Sequence, residues 1–319
     1  MFIKDNIYGA IEVKEPVIIE LLKSPALLRL KNISQYGVPD KYYYFKNFSR
    51  YEHSIGVMIL LRKLGATLEE QAAGLIHDVS HFAFSHVADW VFSEGDKGNE
   101  DLHDTITKKF IERSKVGNIL AKHCLSVDRL LNEENYPLLE KKIPDLCADR
   151  VDYALREFQY WFKPEIVEKC LSDMINYNGE IAFTREETAL DFALGFLELQ
   201  TKHWGGLESM MRYHLFSNAL KLALKEGLIK KKDFFKDEQY ILKKVEGSNN
   251  KEIKEILNTL KNKKIANNGS LGKKIYKKFR HVDPRVVING KAVRLSSLSG
   301  DFSNLLKKQR EICKRGLSV

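Results

Sequence analysis

Two helix-forming stretches decide the fold: residues 49–64 read SRYEHSIGVMILLRKL, and residues 68–81 read LEEQAAGLIHDVSH. In both stretches apolar residues recur three or four positions apart, which is the spacing of one helix face. The pattern predicts two consecutive helices that bury this face. We therefore expect the helices to bring His53 and His77 into the core region.

The same periodicity predicts a mainly helical chain. Further helices are predicted at 15–29 (interrupted by Ser24-Pro25), 102–113, 115–123, 126–131, 149–158, 164–171, 186–204, 207–225, 249–260 and about 301–315. Short strands are predicted at 7–13, 177–183, 275–282, 285–288 and 291–295, with Asn-Gly at two hairpin turns. The fold class that follows is mainly α. It consists of a helical bundle over 1–225 and a small basic α+β region over 226–319, which contains a β-hairpin and packs on the bundle.

The charge of the chain points to anionic partners. Its 319 residues carry a formal net charge of +9, with 44% hydrophobic and 30% charged residues, as in a globular protein with a sizeable core. Nucleotides, nucleic acid and acidic protein surfaces all suit this charge. Lysine-rich runs at 230–232, 261–264 and 273–280 predict a solvated face, and a nucleic-acid interface in this basic C-terminal region is the alternative.

The cysteines and the apolar runs exclude several classes of protein. The four cysteines form no CxxC pair, which argues against a disulfide framework and a Cys-rich zinc site. No run approaches the roughly 18 apolar residues of a membrane span, and the first ten residues do not resemble a signal peptide. We expect a cytoplasmic protein with reduced thiols and no membrane partner.

Histidines are concentrated in one part of the chain. Five of the nine fall within a window of 51 residues: His53, His77, His81, His86 and His103. An even distribution would put far fewer there. A His-Asp dipeptide alone means little, because the chain contains two of them.

A divalent cation would explain the residues around the first dipeptide. His77 and Asp78 follow an apolar helical run, and a buried carboxylate beside a buried imidazole is costly unless it is paired. His53, on the preceding helix, and Asp149, at the start of a later one, complete a set of two imidazoles and two carboxylates. Such a set suits Mn²⁺, Fe²⁺, Co²⁺, Ni²⁺ or Zn²⁺ better than Ca²⁺. A histidine-rich helix junction with ordinary hydrogen bonds is the alternative.

A series of short motifs carries a family resemblance. In order, they are DNIYG (5–9), LRL (28–30), ISQYG (33–37), SRYEHSIGV (49–57), LIHDVSH (75–81), FSH (84–86), ADRVDY (148–153) and VDP (282–284). Together they span nearly the whole chain. The sequence resembles the HD superfamily of metal-dependent phosphohydrolases, and most of all its deoxynucleoside triphosphate triphosphohydrolase branch, the relatives of the sterile-alpha-motif and HD protein.

The resemblance implies a role for each matching position. The ligands of one divalent transition metal ion (Mn, Fe, Ni, Co or Zn) would be His53, His77, Asp78 and Asp149, with Mg²⁺ accompanying the substrate phosphates. His86, oriented by Asp89, would be the acid/base catalyst. Substrate contacts would come from Gln35, Arg50, His81, His103, Arg150, Tyr153 and Glu157. A surface ion pair is the alternative for Arg50, and a core aromatic is the alternative for Tyr153. The resemblance also implies a homo-oligomer.

The sequence departs from the family pattern around the substrate rather than the metal. Ser80, Phe82 and Ala83 replace two glycines and a proline beside the phosphates. Tyr36 stands in place of a leucine, and Glu157 in place of an aspartate that contacts the sugar hydroxyl. The family's later Tyr-x-His segment is not convincingly present. These differences put the shape of the substrate pocket in doubt.

Three functions are compatible with these features. The first is hydrolysis of a (deoxy)nucleoside triphosphate to nucleoside and triphosphate. The second keeps the metal but acts on a nucleoside monophosphate, cyclic nucleotide or other phosphoester. The third is a binding protein for nucleotides, or for nucleic acid through the basic C-terminal region, with weak activity.

Overall fold

The computed structural model describes residues 1–44, 47–92, 106–265, 274–276 and 278–318. His103, predicted to contact substrate, lies outside the described residues. The mainly helical fold class is confirmed, with small sheets beside the helices. In the described ranges, no helix combines the length and apolar character needed to cross a membrane.

The helices account for most of the described chain. They are α1 (Pro16–Leu22), α2 (Pro25–Arg29), α3 (Arg50–Lys63), α4 (Leu68–Ile76), α5 (Ser85–Phe92), α6 (Thr107–Arg113), α7 (Lys115–Lys122), α8 (Val127–Leu130), α9 (Ala148–Trp161), α10 (Pro164–Asp173), α11 (Glu186–Glu198), α12 (Leu207–Lys225), α13 (Glu238–Glu246), α14 (Lys251–Leu260), α15 (Leu295–Leu298) and α16 (Gly300–Lys314). A π-helical turn, Leu199–Trp204, extends α11.

The strands of the described ranges form three small sheets. Antiparallel hairpins pair β1 (Phe2–Asp5) with β2 (Gly9–Glu12), β3 (Met174–Tyr177) with β4 (Glu180–Phe183), and β6 (Arg285–Ile288) with β7 (Lys291–Arg294). A parallel contact between β4 and β6 joins the last two hairpins into one sheet, in the order β3-β4-β6-β7. The third sheet pairs β5 (Lys274–Ile275) with β8 (Leu317–Ser318).

Side-chain caps fix the starts of the two helices that carry the histidines. Ser49 and Glu52 form a capping box at α3, in which the Ser49 Oγ accepts from the Glu52 backbone N–H and the Glu52 carboxylate accepts from the Ser49 N–H. The Thr67 Oγ1 caps α4 by accepting from the Glu70 backbone N–H. Helix α4 ends at Ile76, so His77 and Asp78 lie immediately after its last residue.

Helix α3 is central because it packs against both α4 and α9. Its close contact with α9 depends on Gly56. A Cβ atom at this position would lie 2.0 Å from Arg156 Nη2 and 2.0 Å from Asp152 Oδ1. The absence of a side chain there lets α9 approach α3 and places Asp149 opposite His53.

We expect Gly56→Ala to lower the free energy of unfolding by about 1–3 kcal/mol, since an added methyl group in a filled contact forces its neighbours apart. Urea denaturation measures the change. Gly300→Ala is the matched control, because its Cβ would meet no atom within 4 Å, and it should change stability by less than about 0.5 kcal/mol. Equal stabilities for the two variants would contradict the proposed helix contact.

The structure differs from the predicted elements in several places, and β1, α5 and α15 are among the elements that were not predicted. The predicted strand 275–282 overlaps the observed strand β5 only at Ile275. Residues 278–284 are not part of a strand. The predicted helix 186–204 changes to a π-helical turn at Leu199. Helix α13 was not predicted. The domain boundary at 225/226 stays a prediction, although β6 of the later region pairs with β4 of the earlier one.

Candidate metal centre

The imidazole of His77 has the environment of a metal ligand. Its Nδ1 donates to the Gly74 carbonyl at 2.7 Å, which leaves Nε2 as the atom available to a cation. Nε2 is buried and has no hydrogen-bond partner among the described residues. It lies 3.6 Å from Asp78 Oδ1 and 3.5 Å from Asp149 Oδ1. A buried, unpartnered nitrogen facing two carboxylates fits a divalent cation.

His53 lies between two aspartates of α9. Its Nδ1 donates to Asp152 Oδ2 at 2.7 Å, and its Nε2 lies 2.9 Å from Asp149 Oδ1. The ring is fully buried. Asp152 therefore orients the ring so that Nε2 faces the centre, as carboxylates commonly do behind metal-binding histidines. His53, His77 and Asp149 offer ligand atoms that all lie within 4.8 Å of one another.

Asp78, the fourth predicted ligand, also lies at this centre. Its oxygens lie 3.6 Å from His77 Nε2 and 3.8 Å from His53 Nε2. Two cationic or hydrogen-bonding side chains also hold it, because Arg50 Nη1 donates to Oδ2 at 2.5 Å and His81 Nε2 lies 3.1 Å from Oδ1. The structure thus brings together all four predicted ligands, with two of the predicted phosphate contacts beside them.

The carboxylates of the centre favour protonation of its two histidines when no cation is bound. Burial opposes protonation of His77, but the carboxylates of Asp78 and Asp149 outweigh it and raise its pKa to about 9. Burial likewise opposes a charge on His53, yet Asp149 and Asp152 raise its pKa. Burial raises the pKa of Asp149, but the two histidines hold it well below its ordinary value. The centre binds positive charge even without a metal.

These pKa values predict how metal affinity depends on pH. A histidine must lose its proton before it binds a cation, and His77 is protonated below about pH 9 in the metal-free protein. The affinity should therefore rise with pH up to about 9, by up to about tenfold per pH unit for one released proton. Titration calorimetry with Mn²⁺ in buffers of different ionisation enthalpy counts the protons released. An affinity that does not change between pH 6.5 and 8.5 would contradict this prediction.

Arg50 and the first residue of α5, Ser85, form one side of the centre. Arg50 is buried, so it is not a surface ion pair. Its Nε donates to Ser85 Oγ at 2.6 Å, and Ser85 in turn donates to the Ser34 carbonyl at 2.6 Å. Nη2 of Arg50 is buried without a partner in the described part of the chain. This atom is available to a phosphate oxygen.

The predicted acid/base pair lies next to the same side. His86 and Asp89 share a face of α5, and His86 Nδ1 donates to Asp89 Oδ2 at 3.1 Å. The His86 ring packs edge-on against the ring of His81, with 5.6 Å between centroids. His81 itself contacts Asp78. His86 is therefore oriented by a carboxylate and contacts His81, which contacts Asp78; its role as acid/base catalyst stays a prediction.

Arg150 is held by the loop before α9. Its guanidinium donates to the carbonyls of Asp145 and Lys141, at 2.6 and 3.0 Å, and pairs with Glu140 at 3.2 Å. Binding of a phosphate through the same N–H groups would require it to exchange these partners. Glu140 and Cys147 also offer ligand atoms near Asp149, but the Arg150 guanidinium already contacts both of them. We therefore assign no second metal there.

The remaining predicted substrate contacts lie around α9 and the turn after α2. The ring of Tyr153 lies 6.3 Å from that of His53 and 5.3 Å from that of Trp204, so it adjoins both the centre and the core. Glu157 is buried and accepts a hydrogen bond from Trp204 Nε1. Gln35 has a buried side-chain oxygen without a partner among the described residues. Their roles with substrate stay predictions.

Sequence reasoning missed two residues of the site. Asp152 follows Asp149 by three positions on α9, within the ADRVDY motif, and this spacing could have indicated a carboxylate behind His53. Ser85 has no such signal. It and Phe84 adopt positive φ angles of 42° and 68°, in a backbone conformation that side chains other than glycine rarely take. The strained turn positions the hydroxyl that holds Arg50.

Comparisons with known proteins indicate the family to which the chain belongs. The family model described as HD domain matches residues 50–156, the segment that contains all four predicted metal ligands. The protein YdhJ of Bacillus subtilis is 34% identical over 324 residues, which covers 100% of this chain and 98% of that protein. The metal-dependent phosphohydrolase cns2 of Cordyceps militaris is 42% identical over 157 residues, which covers 49% of this chain and 45% of that protein.

More distant similarities have the same character. The deoxynucleoside triphosphate triphosphohydrolase SAMHD1 of Gallus gallus is 30% identical over 186 residues, which covers 51% of this chain but only 30% of that protein. A crystal structure of a phosphohydrolase from Bacteroides thetaiotaomicron superposes with a TM-score of 0.70 over 96% of this chain and 97% of that one, at 16% identity, and so supports the fold alone. The motifs, the matched family model and the full-length relative together show that the chain belongs to the HD superfamily of metal-dependent phosphohydrolases.

Proposed function

We propose that the protein hydrolyses nucleotides, and that it converts a (deoxy)nucleoside triphosphate to nucleoside and triphosphate. The observation that carries the hydrolytic proposal is the buried His77 Nε2, unpartnered in the described structure and facing Asp78 and Asp149. The triphosphate substrate is supported by the partial similarity to the SAMHD1 protein and by the basic net charge.

Different side chains around the centre would assist different steps of the reaction. A bound divalent cation would supply Lewis acidity and lower the pKa of a water molecule. Arg50 and His81 would offset the charge that develops on the attacked phosphate, because both lie against Asp78 at the edge of the centre. His86, held by Asp89, would donate a proton to the leaving 5′-oxygen.

Product analysis tests this proposal. The purified protein is incubated with Mn²⁺ and each of the four dNTPs, and the products are separated by ion-exchange chromatography. Nucleoside and triphosphate are the expected products. Release of pyrophosphate or orthophosphate as the first product would contradict this reaction.

We expect His86→Ala to lower kcat by about 100-fold or more while the metal content stays at the wild-type value, since His86 transfers a proton and binds no metal. Elemental analysis and steady-state kinetics separate the two effects. His123→Ala is the matched control, because this histidine pairs with Glu20 outside the centre. Loss of metal from the His86 variant would contradict the proposed role.

A second candidate is hydrolysis of a smaller phosphoester, such as a nucleoside monophosphate or cyclic nucleotide. The surroundings of Glu157 favour this candidate. Glu157 stands where the family contacts the sugar, but here it already contacts Trp204 and the Tyr36 hydroxyl. The sugar contact of the triphosphohydrolases is therefore altered in this chain. Turnover of a phosphoester panel without turnover of any dNTP would select this candidate.

A third proposal concerns partners and location. We propose a cytoplasmic homo-oligomer whose basic C-terminal region contacts nucleic acid. Light scattering measures the oligomeric state, and a band shift that weakens steeply with salt would support the nucleic-acid contact. A band shift that does not depend on salt would contradict a contact made through phosphates.

A further inference from the structure

Glu238, in the C-terminal region, contacts the residues that hold Arg50 in place. It is the first residue of α13, yet it is buried and bonds to residues that precede it by 204 and 154 positions. Its Oε1 accepts from the Ser34 backbone N–H at 2.9 Å, from the Ser34 hydroxyl at 2.8 Å and from the Phe84 backbone N–H at 3.1 Å. Glu238 takes no part in the predicted metal centre or in the proposed reaction.

The start of α13 does not explain these bonds. Asp237 already caps this helix, because its carboxylate accepts from the Tyr240 backbone N–H at 2.9 Å. Burial raises the pKa of Glu238 to about 7 against the effect of the hydrogen bonds that it accepts, and the charge of Asp40 adds to the increase. A buried carboxyl group is costly, so its bonds to two distant segments need another explanation.

The residues that Glu238 contacts hold Arg50 at two points. The Ser34 carbonyl accepts from Ser85 Oγ at 2.6 Å, and this hydroxyl in turn accepts from Arg50 Nε at 2.6 Å. The Arg50 backbone N–H donates to the carbonyl of the preceding residue in that segment, Ile33, at 2.9 Å. A displacement of the segment would therefore move both the backbone and the guanidinium of Arg50.

The bond from Phe84 fixes the turn that carries the Ser85 hydroxyl. Phe84 and Ser85 have positive φ angles of 68° and 42°, which side chains other than glycine rarely adopt. The Phe84 N–H donates to Glu238, and the adjacent Ala83 N–H donates at 2.8 Å to the carbonyl of Phe234. Both acceptors belong to the segment 234–238. This segment therefore stabilises an unfavourable backbone conformation beside Arg50.

We propose that Glu238 is a positioning residue, which fixes Arg50 through Ser34 and the Phe84-Ser85 turn so that Arg50 Nη2 faces a substrate phosphate. Arg50 Nη1 donates to Asp78 Oδ2 at 2.5 Å, while Nη2 is buried without a partner in the described ranges. The inference rests on the proposed phosphate contact of Arg50. Glu238 lies outside the residues 50–156 that match the family model, so the C-terminal region would assist the reaction without supplying a predicted ligand.

A double-mutant cycle tests whether Glu238 acts through Arg50. Glu238→Met fills a similar volume without an acceptor, and we expect it to lower kcat/KM for the hydrolysed nucleotide by about 10–100-fold, since small displacements of a substrate contact have effects of this size. In the Arg50→Gln background the same change should alter kcat/KM by less than about twofold, because no guanidinium is left to position. Glu238→Asp, one methylene shorter, replaces Glu238→Met in the cycle if the latter does not fold.

Glu246→Met is the matched control. It removes a carboxylate from the same helix, and this carboxylate accepts from the Tyr42 hydroxyl at 2.7 Å rather than from the residues around Arg50. We expect it to change kcat/KM by less than about twofold. Urea denaturation of every variant separates a loss of global stability from a loss of position.

A second readout does not depend on turnover. In proton–nitrogen NMR spectra, the Nε–H signal of Arg50 is identified by its loss in Arg50→Gln. Glu238→Met should shift or broaden this signal, because the Ser85 hydroxyl that accepts from Nε is no longer held in one place. Glu238→Gln should preserve both the signal and, within about threefold, kcat/KM, since its amide oxygen can accept the same hydrogen bonds.

The outcomes separate this inference from the proposed function. The positioning role is overturned by an Arg50 signal that is unchanged in Glu238→Met, by equal losses of kcat/KM in the wild-type and Arg50→Gln backgrounds, or by a comparable loss in Glu246→Met. If the Arg50 signal depends on Glu238 but no dNTP is hydrolysed, the positioning stands and the proposed reaction fails. If dNTPs are hydrolysed and the signal does not depend on Glu238, the reaction stands and the positioning fails.

Discussion

Asp149→Ala is expected to remove the bound metal and to lower phosphohydrolase activity by at least about 10⁴-fold. Asp149 Oδ1 lies 2.9 Å from His53 Nε2 and 3.5 Å from His77 Nε2, so it is the carboxylate shared by both imidazoles. Its loss leaves two histidines and one carboxylate that also pairs with Arg50. A metal ion contributes several kcal/mol to the stabilisation of charge in the transition state, which accounts for an effect of this size.

Elemental analysis of the purified variant, combined with the nucleotide assay, measures both quantities. Asp128→Ala is the matched control. Its carboxylate is exposed and pairs with Lys108 on the surface, so the variant should keep its metal and its activity. An Asp149→Ala protein that retains one metal per chain would show that the cation is held elsewhere.

Asp152→Ala is expected to lower the free energy of unfolding by about 3–5 kcal/mol, the usual cost of removing one member of a buried ionic network. Asp152 is fully buried, accepts from His53 Nδ1 at 2.7 Å and pairs with Arg156 at 2.8 Å. Its removal leaves the buried Arg156 with Asp5 as its remaining carboxylate. The His53 ring also loses the group that orients it, so metal affinity should fall by about 10–100-fold.

Urea denaturation in EDTA measures the stability of the Asp152 variant without any contribution from the metal, and a separate titration gives the affinity. Asp191→Ala serves as the control, because its partly exposed ion pair with Lys169 should contribute no more than about 1 kcal/mol. If the Asp152 variant unfolds at the wild-type urea concentration, Asp152 has no structural role between α3 and α9.

Local sequence signals predicted the helices that carry the site. The periodic apolar residues of 49–64 and 68–81 correspond to α3 and α4, and Ser24-Pro25 divides α1 from α2 as capping and proline geometry require. Asn178-Gly179 adopts positive φ angles of 52° and 81° in the predicted hairpin turn. In each case neighbouring residues contain the necessary information.

Elements that depend on distant contacts were not predictable in the same way. The parallel pairing of β4 with β6 joins residues about a hundred positions apart, and neither strand carries a local sign of its partner. The π-helical turn follows a regular helical pattern in 186–198 without a breaking residue. Helix α13 has Glu238 among its buried residues, which weakens its apolar periodicity.

The candidate site, like the fold, could be predicted from local sequence only in part. The motifs predicted four ligand positions, and the structure brings these side chains together. The surroundings of Arg150 could not be read from its motif, because its partners lie in a loop whose path depends on tertiary contacts.

The hydrogen bond between His53 and Asp152 joins two residues separated by 99 positions. A partly folded chain could contain α3, α4 and α9 as separate helices and still lack any place where the imidazoles and carboxylates meet. Cation uptake is therefore confined to molecules that have completed their long-range assembly. After saturation with the cation, the molar ratio of bound metal to polypeptide should therefore report the properly folded fraction of a purified sample.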